Sequence, residues 1–393
     1  MKTLLVFLMS PFFLAALYDT IFYLPSSTLD IYPDLNGIYT FFLISQVLIY
    51  FCLAVCFTCL YNKNQLRFKS HTIVFSNMNR GINAFFYLVL IATCACLFLY
   101  LFYSVFGDFN FSQLLTHNAE FYAKSKVGTA WVFFVYQFLI FLMLYDIYKS
   151  GFRGYKVCIL LLAILLIALT GGRSTIISYL VFIGFIYFFV YDKKVRISLV
   201  LIFVVLFIAI VSGNSLLRHG QNTSFIDYVN SDAFKLDFNS SFVLQDSIDY
   251  VHSNNDHYFV ALEDAYYAFI PRRVMPSKPV STSETRLVYS DMLSDGRTTN
   301  ITFGVYGNMI INFGYGGLFL GLLCLFLANY KYIKVCSRLA YRKATDFIFL
   351  FIFMMFVLIL RGGFFNMRIV LSLIVVTAAV IVYESLRSLR LLR

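Results

Sequence analysis

The chain has 393 residues, 60% of them apolar and 13% charged, where soluble domains average about 25% charged. That balance excludes an ordinary soluble enzyme. It also makes the formal net charge of +11 a matter of membrane orientation rather than of nucleic-acid binding.

A run of about 17 to 25 apolar residues is long enough to cross a bilayer as a helix. Ten such runs are expected, at about 3–24, 37–60, 84–106, 129–148, 155–170, 175–191, 196–213, 304–328, 346–360 and 369–386. The first continues to Leu24 without a small-x-small cleavage site, so it reads as a span rather than a signal peptide. In the second, Cys52, Cys56 and Cys59 have a spacing that suits a metal. They lack a neighbouring His or carboxylate and read as small residues of a membrane helix. No cysteine falls between 214 and 300, so no disulfide framework is indicated. The abundant Phe and Tyr read as interface belts. The fold expected is an all-α polytopic membrane protein. Helices one to seven occupy 1–213, a polar insert occupies 214–300, and helices eight to ten occupy 301–393.

The loops set the orientation. Loop 25–36 carries Asp30 and Asp34 and no cation, and loop 107–128 is mixed. Loop 61–83 carries Lys63, Arg67, Lys69 and Arg80; loop 149–156 carries Lys149, Arg153 and Lys156; loop 192–196 carries Lys193, Lys194 and Arg196. Loop 329–345 carries Lys331, Lys334, Arg338, Arg342 and Lys343, and the tail carries Arg387, Arg390 and Arg393. Basic loops face the cytoplasm, so both termini are expected inside and the insert outside.

The insert carries eleven carboxylates and seven cations, a net charge of −4. Runs such as 226–229 and 258–270 alternate apolar and polar residues at helical spacing and predict short amphipathic helices on the outer surface. Its centre is Phe269–Pro279, FIPRRVMPSKP. Each proline fixes its own φ and turns the residue before it away from helix, which mounts Arg272, Arg273 and Lys278 on a stiff platform, with Arg286 following. Binding of lipid headgroups is the plain alternative.

Three further cations break the orientation rule. Arg173 follows Thr170-Gly171-Gly172, and Arg361 and Arg368 bracket the turn RGGFFNMR. Either each snorkels to the headgroups, or they line an outward cavity with Arg218, Arg272, Arg273, Lys278 and Arg286 and hold an anion. Arginine suits the second role because its planar fork grips phosphate oxygens in pairs. His252, Asp256 and His257 read as polar loop residues rather than metal ligands, and the insert has no Asp-x-Asp pair, so no metal or other cofactor is expected.

After the insert comes TFGVYGNMIINFGYGG. Gly314, Gly317 and Gly321 are expected on one helical face, where they permit close packing. Asn308 and Asn312 fall one turn apart at the outer edge and read either as sugar contacts or as satisfied packing polar groups.

The order of these pieces, a GGR turn, an IPR…P.KP insert and then a G-Y-G-N…N-F-G-x-G-G segment, resembles the oligosaccharide repeat-unit polymerases, the O-antigen polymerase (Wzy) family of bacteria. The sharp residues are Gly171–Ser174, Ile270–Pro279 and about Gly304–Gly317. The resemblance implies an architecture like that of GT-C glycosyltransferases in the inner membrane. It implies transfer of a growing glycan from undecaprenyl pyrophosphate to a new lipid-linked repeat unit on the periplasmic face, with a flippase and a chain-length regulator as partners. It makes the arginines and Asn308 the pyrophosphate- and glycan-binding residues.

A sugar hydroxyl is a poor nucleophile, so a base is expected near the arginine platform. Asp264, His257 and Glu263 are the candidates. Asp264 and His257, seven residues apart, share a helical face; Glu263 points about 100° away from Asp264. Two other functions fit the same residues: a flippase for lipid-linked sugars, and a ligase passing the glycan to lipid A.

Overall fold

The computed structural model describes residues 2–22, 36–65, 80–109, 130–168, 179–180, 182–187, 240–253, 304–339, 342–356, 359–360 and 367–388. Between 254 and 303 it describes only Val260, Glu263, Tyr266, Tyr267, Ile270, Met275 and Val288. Backbone groups inside a bilayer have no water to pair with, so apolar runs satisfy them internally as helices. The regular elements among the described residues are all helical: α1 (Lys2–Leu8), α2 (Pro11–Phe22), α3 (Asn36–Gln65), α4 (Arg80–Phe106), α5 (Ala130–Ser150), α6 (Gly154–Ala168), α7 (Ser240–Ser253), α8 (Gly304–Phe313), α9 (Gly316–Arg338), α10 (Ala344–Met354) and α11 (Met367–Ser388).

Five of these carry segments long and apolar enough to cross a membrane: Ile44–Tyr61, Ala84–Phe106, Trp131–Ser150, Gly316–Arg338 and Ile369–Ser388. The chain is therefore a multi-pass membrane protein. The apolar helices Gly154–Ile167 and Ala344–Met354 are shorter. Most of the expected spans 175–191 and 196–213 lies outside the described residues.

The chain divides into two compact units. The first comprises Met1–Lys69, Asn230–Ser337 and Ile352–Val370; the second comprises Ser70–Val229, Arg338–Phe351 and Leu371–Arg393.

In the first unit, the expected span 3–24 is two helices. Ser10 ends α1 and caps α2, its Oγ accepting from the Phe13 amide at 3.2 Å, and Pro11 occupies the first helical position, where its missing N–H costs nothing. Both helices pack on α3, with Phe12 against Tyr50 and Phe57. The expected span 304–328 is also broken. Gly314 takes a φ of 62°, its amide caps α8 through the Ile310 carbonyl at 2.7 Å, and α9 starts afresh at Gly316. The spanning helix is thus 316–338, and Lys331, Lys334 and Arg338 sit on it rather than in a loop. Gly314 belongs to the turn, not to a glycine face. Gly317 and Gly321 do share one face of α9, and both meet Met309 of α8. α7, from the polar insert, packs on α8.

In the second unit, α5 is the hub. Two thirds of its spanning window (67%) is buried, against 28–33% for the other four, and every residue from Leu139 to Tyr148 is buried. A helix apolar all round is one enclosed by others; α4 and α6 pack against it and against each other. Gly151, with a φ of 114°, closes α5 through the Ile147 carbonyl. Arg342 donates from Nη1 to the Lys149 carbonyl at 2.8 Å, a cation on the negative end of that helix.

The tyrosines depart from the expectation of interface belts alone. Tyr50, Tyr61, Tyr87, Tyr136, Tyr145, Tyr148, Tyr179, Tyr332 and Tyr383 are almost wholly enclosed, whereas Tyr100, Tyr103 and Tyr330 are exposed. An enclosed phenol needs a hydrogen-bond partner, and several of these find one on buried carboxylates. The Cys52, Cys56 and Cys59 thiols are exposed along α3 rather than packed within the bundle.

Candidate functional site

Two carboxylates, each inside its own unit, organise the buried polar chemistry. They differ in whether their acceptor positions are filled.

Asp146 lies near the end of α5 and is 2% exposed. Its Oδ2 accepts from the Tyr87 hydroxyl of α4 at 2.9 Å and from Lys156 Nζ of α6. Its Oδ1 accepts from the Tyr383 hydroxyl of α11 at 2.8 Å and from Ser150 Oγ at 3.1 Å. Lys156, with no exposed side-chain surface, also donates to Ser150 Oγ at 2.7 Å and stands over the Tyr87 ring. Both oxygens of this carboxylate are thus engaged. Lys156 is therefore a buried partner of Asp146 and not a loop cation. Glu384 of α11 makes a second knot with Tyr145 at 2.5 Å, Lys149 at 3.0 Å and Arg387 at 3.9 Å. Arg338 pairs with Asp346 at 3.4 Å. These groups bind helices of the second unit together.

Asp19 of α2 is different. It is fully buried, and among the described residues only its Oδ2 is engaged. That oxygen accepts from Gln46 Nε2 of α3 at 3.0 Å and from the Tyr306 hydroxyl of α8 at 3.0 Å. Gln46 Nε2 also reaches the Tyr306 hydroxyl at 2.7 Å and the Tyr50 hydroxyl at 3.4 Å, and the two hydroxyls are 3.1 Å apart. Oδ1 is buried with no hydrogen-bond partner among the described residues. No cation among the described residues pairs with this carboxylate. Asp19 and Tyr50 are closed off, while Gln46 and Tyr306 are partly exposed. A buried carboxylate with one acceptor unfilled among the described residues is a candidate functional group.

Asn308 and Asn312 of α8 are both buried, and Asn312 Nδ2 donates to the Asn308 carbonyl at 2.8 Å. Asn308 is thus part of a packed helix face in the same unit as Asp19.

Of the other residues singled out by sequence, Arg173, Arg218, Arg272, Arg273, Lys278, Arg286, Arg361, His257 and Asp264 lie outside the described residues. Arg368 starts α11, and its side chain is likewise outside the description. Glu263 is exposed, its amide turned back to the Val260 carbonyl. Along α7, Asp246, Asp249, Tyr250 and Ser253 line a groove of about 490 Å³ with Val288; partial burial holds the Tyr250 phenol above its usual range. Among the described residues no group of three or more His, Cys, Asp or Glu stands together as metal ligands.

Sequence reasoning missed Asp19, Gln46 and Tyr306. The available signal was a lone acid inside an apolar run, DT in FFLAALYDTIF, and a lone Gln in the next. Nothing in the sequence said that a residue beyond the insert would meet them.

No protein-family model, no curated protein and no solved structure matches the chain.

Proposed function

We propose that this protein is a membrane glycosyltransferase that joins undecaprenyl-pyrophosphate-linked oligosaccharide repeat units into a surface polysaccharide on the outer, periplasmic face of the inner membrane. One observation carries the reading from the geometry. α8, the first described helix after the polar insert and the bearer of the segment Gly304–Asn308, sets Tyr306 on the buried carboxylate of Asp19. With both termini inside and the insert outside, Asp19 near the end of segment 3–24 and Tyr306 near the start of α8 fall toward the outer side of the membrane. A lipid-linked sugar presents its hydroxyls and pyrophosphate at that depth.

The chemistry divides between two sets of residues. The arginines of the GGR turn, the IPRR platform and the RGGFFNMR turn stabilise the pyrophosphate as it leaves, which needs a positive, rigid fork. The carboxylate set addresses the sugar hydroxyls. Lipid access comes from the spans themselves, whose outer faces are apolar and exposed, as at Leu48, Ile49, Phe85, Leu88, Phe319 and Leu323. The glycan chain is both product and next donor, and a flippase and a chain-length regulator are the partners this cycle requires.

Deleting the gene in the organism that carries it tests the reading through the surface glycan. A polymerase leaves surface lipid bearing a single repeat unit. A ligase leaves surface lipid with no glycan, and a flippase leaves lipid-linked units stranded on the inner leaflet; either result would replace this proposal.

A further inference from the structure

We propose that Asp19 is the general base of this site, taking the proton of the acceptor sugar hydroxyl; the inference rests on the polymerase reading above. The argument starts from the two oxygens of one side chain. Oδ2 is held by an amide N–H and a phenol O–H, both at 3.0 Å. Oδ1 is enclosed yet has no hydrogen-bond partner among the described residues. A buried acceptor left unmade is costly, and more so when charged. Such a group calls for an explanation, and an incoming donor that completes it supplies one.

The surrounding groups select what arrives. Gln46 turns its NH₂ toward Asp19 Oδ2 and the oxygens of Tyr50 and Tyr306. Donor hydrogens therefore converge where a bound metal cation would need oxygens, so the set is built against a cation. A neutral O–H donor has no such conflict. Approach is past Gln46 and Tyr306, the two partly exposed members. Among the described residues, the Tyr50 and Tyr306 phenols are the other titratable groups shown hydrogen-bonded within the set.

The step balances. The acceptor O–H bond breaks and its proton goes to Asp19 Oδ1. The freed oxygen pair forms the bond to the anomeric carbon of the donor glycan. The bond from that carbon to the pyrophosphate oxygen breaks, and undecaprenyl pyrophosphate leaves with the electron pair. No oxidant or metal is needed.

The test uses the full-length protein in lipid nanodiscs with a synthetic lipid-linked repeat unit. Rate of chain extension, its pH profile and the thermal unfolding midpoint are read for wild type, Asp19→Asn and Asp19→Glu. Asparagine is isosteric and neutral and removes a buried charge, so Asp19→Asn should unfold at the same temperature or higher. Its rate should fall by about 10²–10⁴-fold. Asp19→Glu should retain part of the rate with a displaced acid limb in its pH profile. Extension at the wild-type rate in Asp19→Asn would overturn the proposal, as would a rate and a melting temperature that fall together, since Asp19 would then be a packing contact. An Asp19→Glu profile with an unmoved acid limb counts against it in the same way. Failure of wild type itself to extend the substrate would instead remove the polymerase reading, and the base with it.

Discussion

The hydroxyl of Tyr306 donates to Asp19 Oδ2 at 3.0 Å across 287 residues of sequence. This contact ties α2 to α8, the helix that follows the polar insert. Gln46 lies between them and bonds to both, so α2, α3 and α8 meet on one carboxylate. Everything proposed about the acceptor depends on this junction.

The junction predicts a topology. Reporter fusions after Asn64, Tyr250 and Arg393 should place Tyr250 outside and the other two positions inside, because the loops with a clear excess of cations alternate. A cytoplasmic signal at Tyr250 would put the insert on the wrong face for a periplasmic reaction.

The arginines should act as forks and not merely as charges. Arg173→Ala and Arg272→Ala are each expected to lower chain extension by about 10²–10³-fold, the equivalent of about 2.7–4 kcal/mol for one lost transition-state donor. Lysine at either position should recover little, since a point charge does not reproduce paired hydrogen bonds. Chain extension at matched membrane expression is the measurement; full activity in Arg173→Ala would leave that side chain a snorkelling cation.

The Asp146–Lys156 pair should be structural. Asp146→Ala strands a buried ammonium, and loss of one partner of such a pair costs about 3–5 kcal/mol. The double replacement Asp146→Leu with Lys156→Met should recover most of that loss, because it removes both charges. Thermal unfolding in detergent resolves the two cases, and a double variant no better than Asp146→Ala would mean the tyrosines around Asp146, not Lys156, set its stability.

α8 and α9 are held together at a glycine. A Cβ on Gly317 would stand 2.1 Å from the Met309 carbonyl oxygen, whereas one on Gly316 meets nothing within 4 Å. Gly317→Ala should therefore destabilise by about 1–3 kcal/mol through overpacking, and Gly316→Ala should not. Unfolding midpoints for the pair check this, with Gly316→Ala as the internal control.

Much of the scaffold is legible in the sequence, and the reason is length. The runs 37–60, 84–106, 129–148, 155–170 and 369–386 each match a helix within a few residues, because an uninterrupted apolar run in a membrane has only one way to satisfy its backbone. The run 304–328 misleads because apolar residues continue through Gly314 and Tyr315, and hydropathy does not register a turn made by a left-handed glycine. Lys156 misleads for another reason. Counting cations by loop assigns it to the cytoplasm, while its partner Asp146 is ten positions away on the previous helix. The candidate site was the least legible part. Asp19 gains its character from Gln46 and Tyr306, and contacts at such separations leave no local pattern. Asp264 and His257, chosen for closeness in sequence to the arginines, lie outside the described residues, and Glu263 is exposed.

The central claim is that this chain alone makes glycosidic bonds between lipid-linked units. Purified protein, reconstituted without any other component and given one synthetic undecaprenyl-pyrophosphate-linked repeat unit, provides the most direct test, with products separated by size. A ladder spaced by one repeat unit, with free undecaprenyl pyrophosphate released in step with each bond formed, is the predicted result. Substrate recovered unchanged, from protein shown to be folded by its melting transition, would contradict the account.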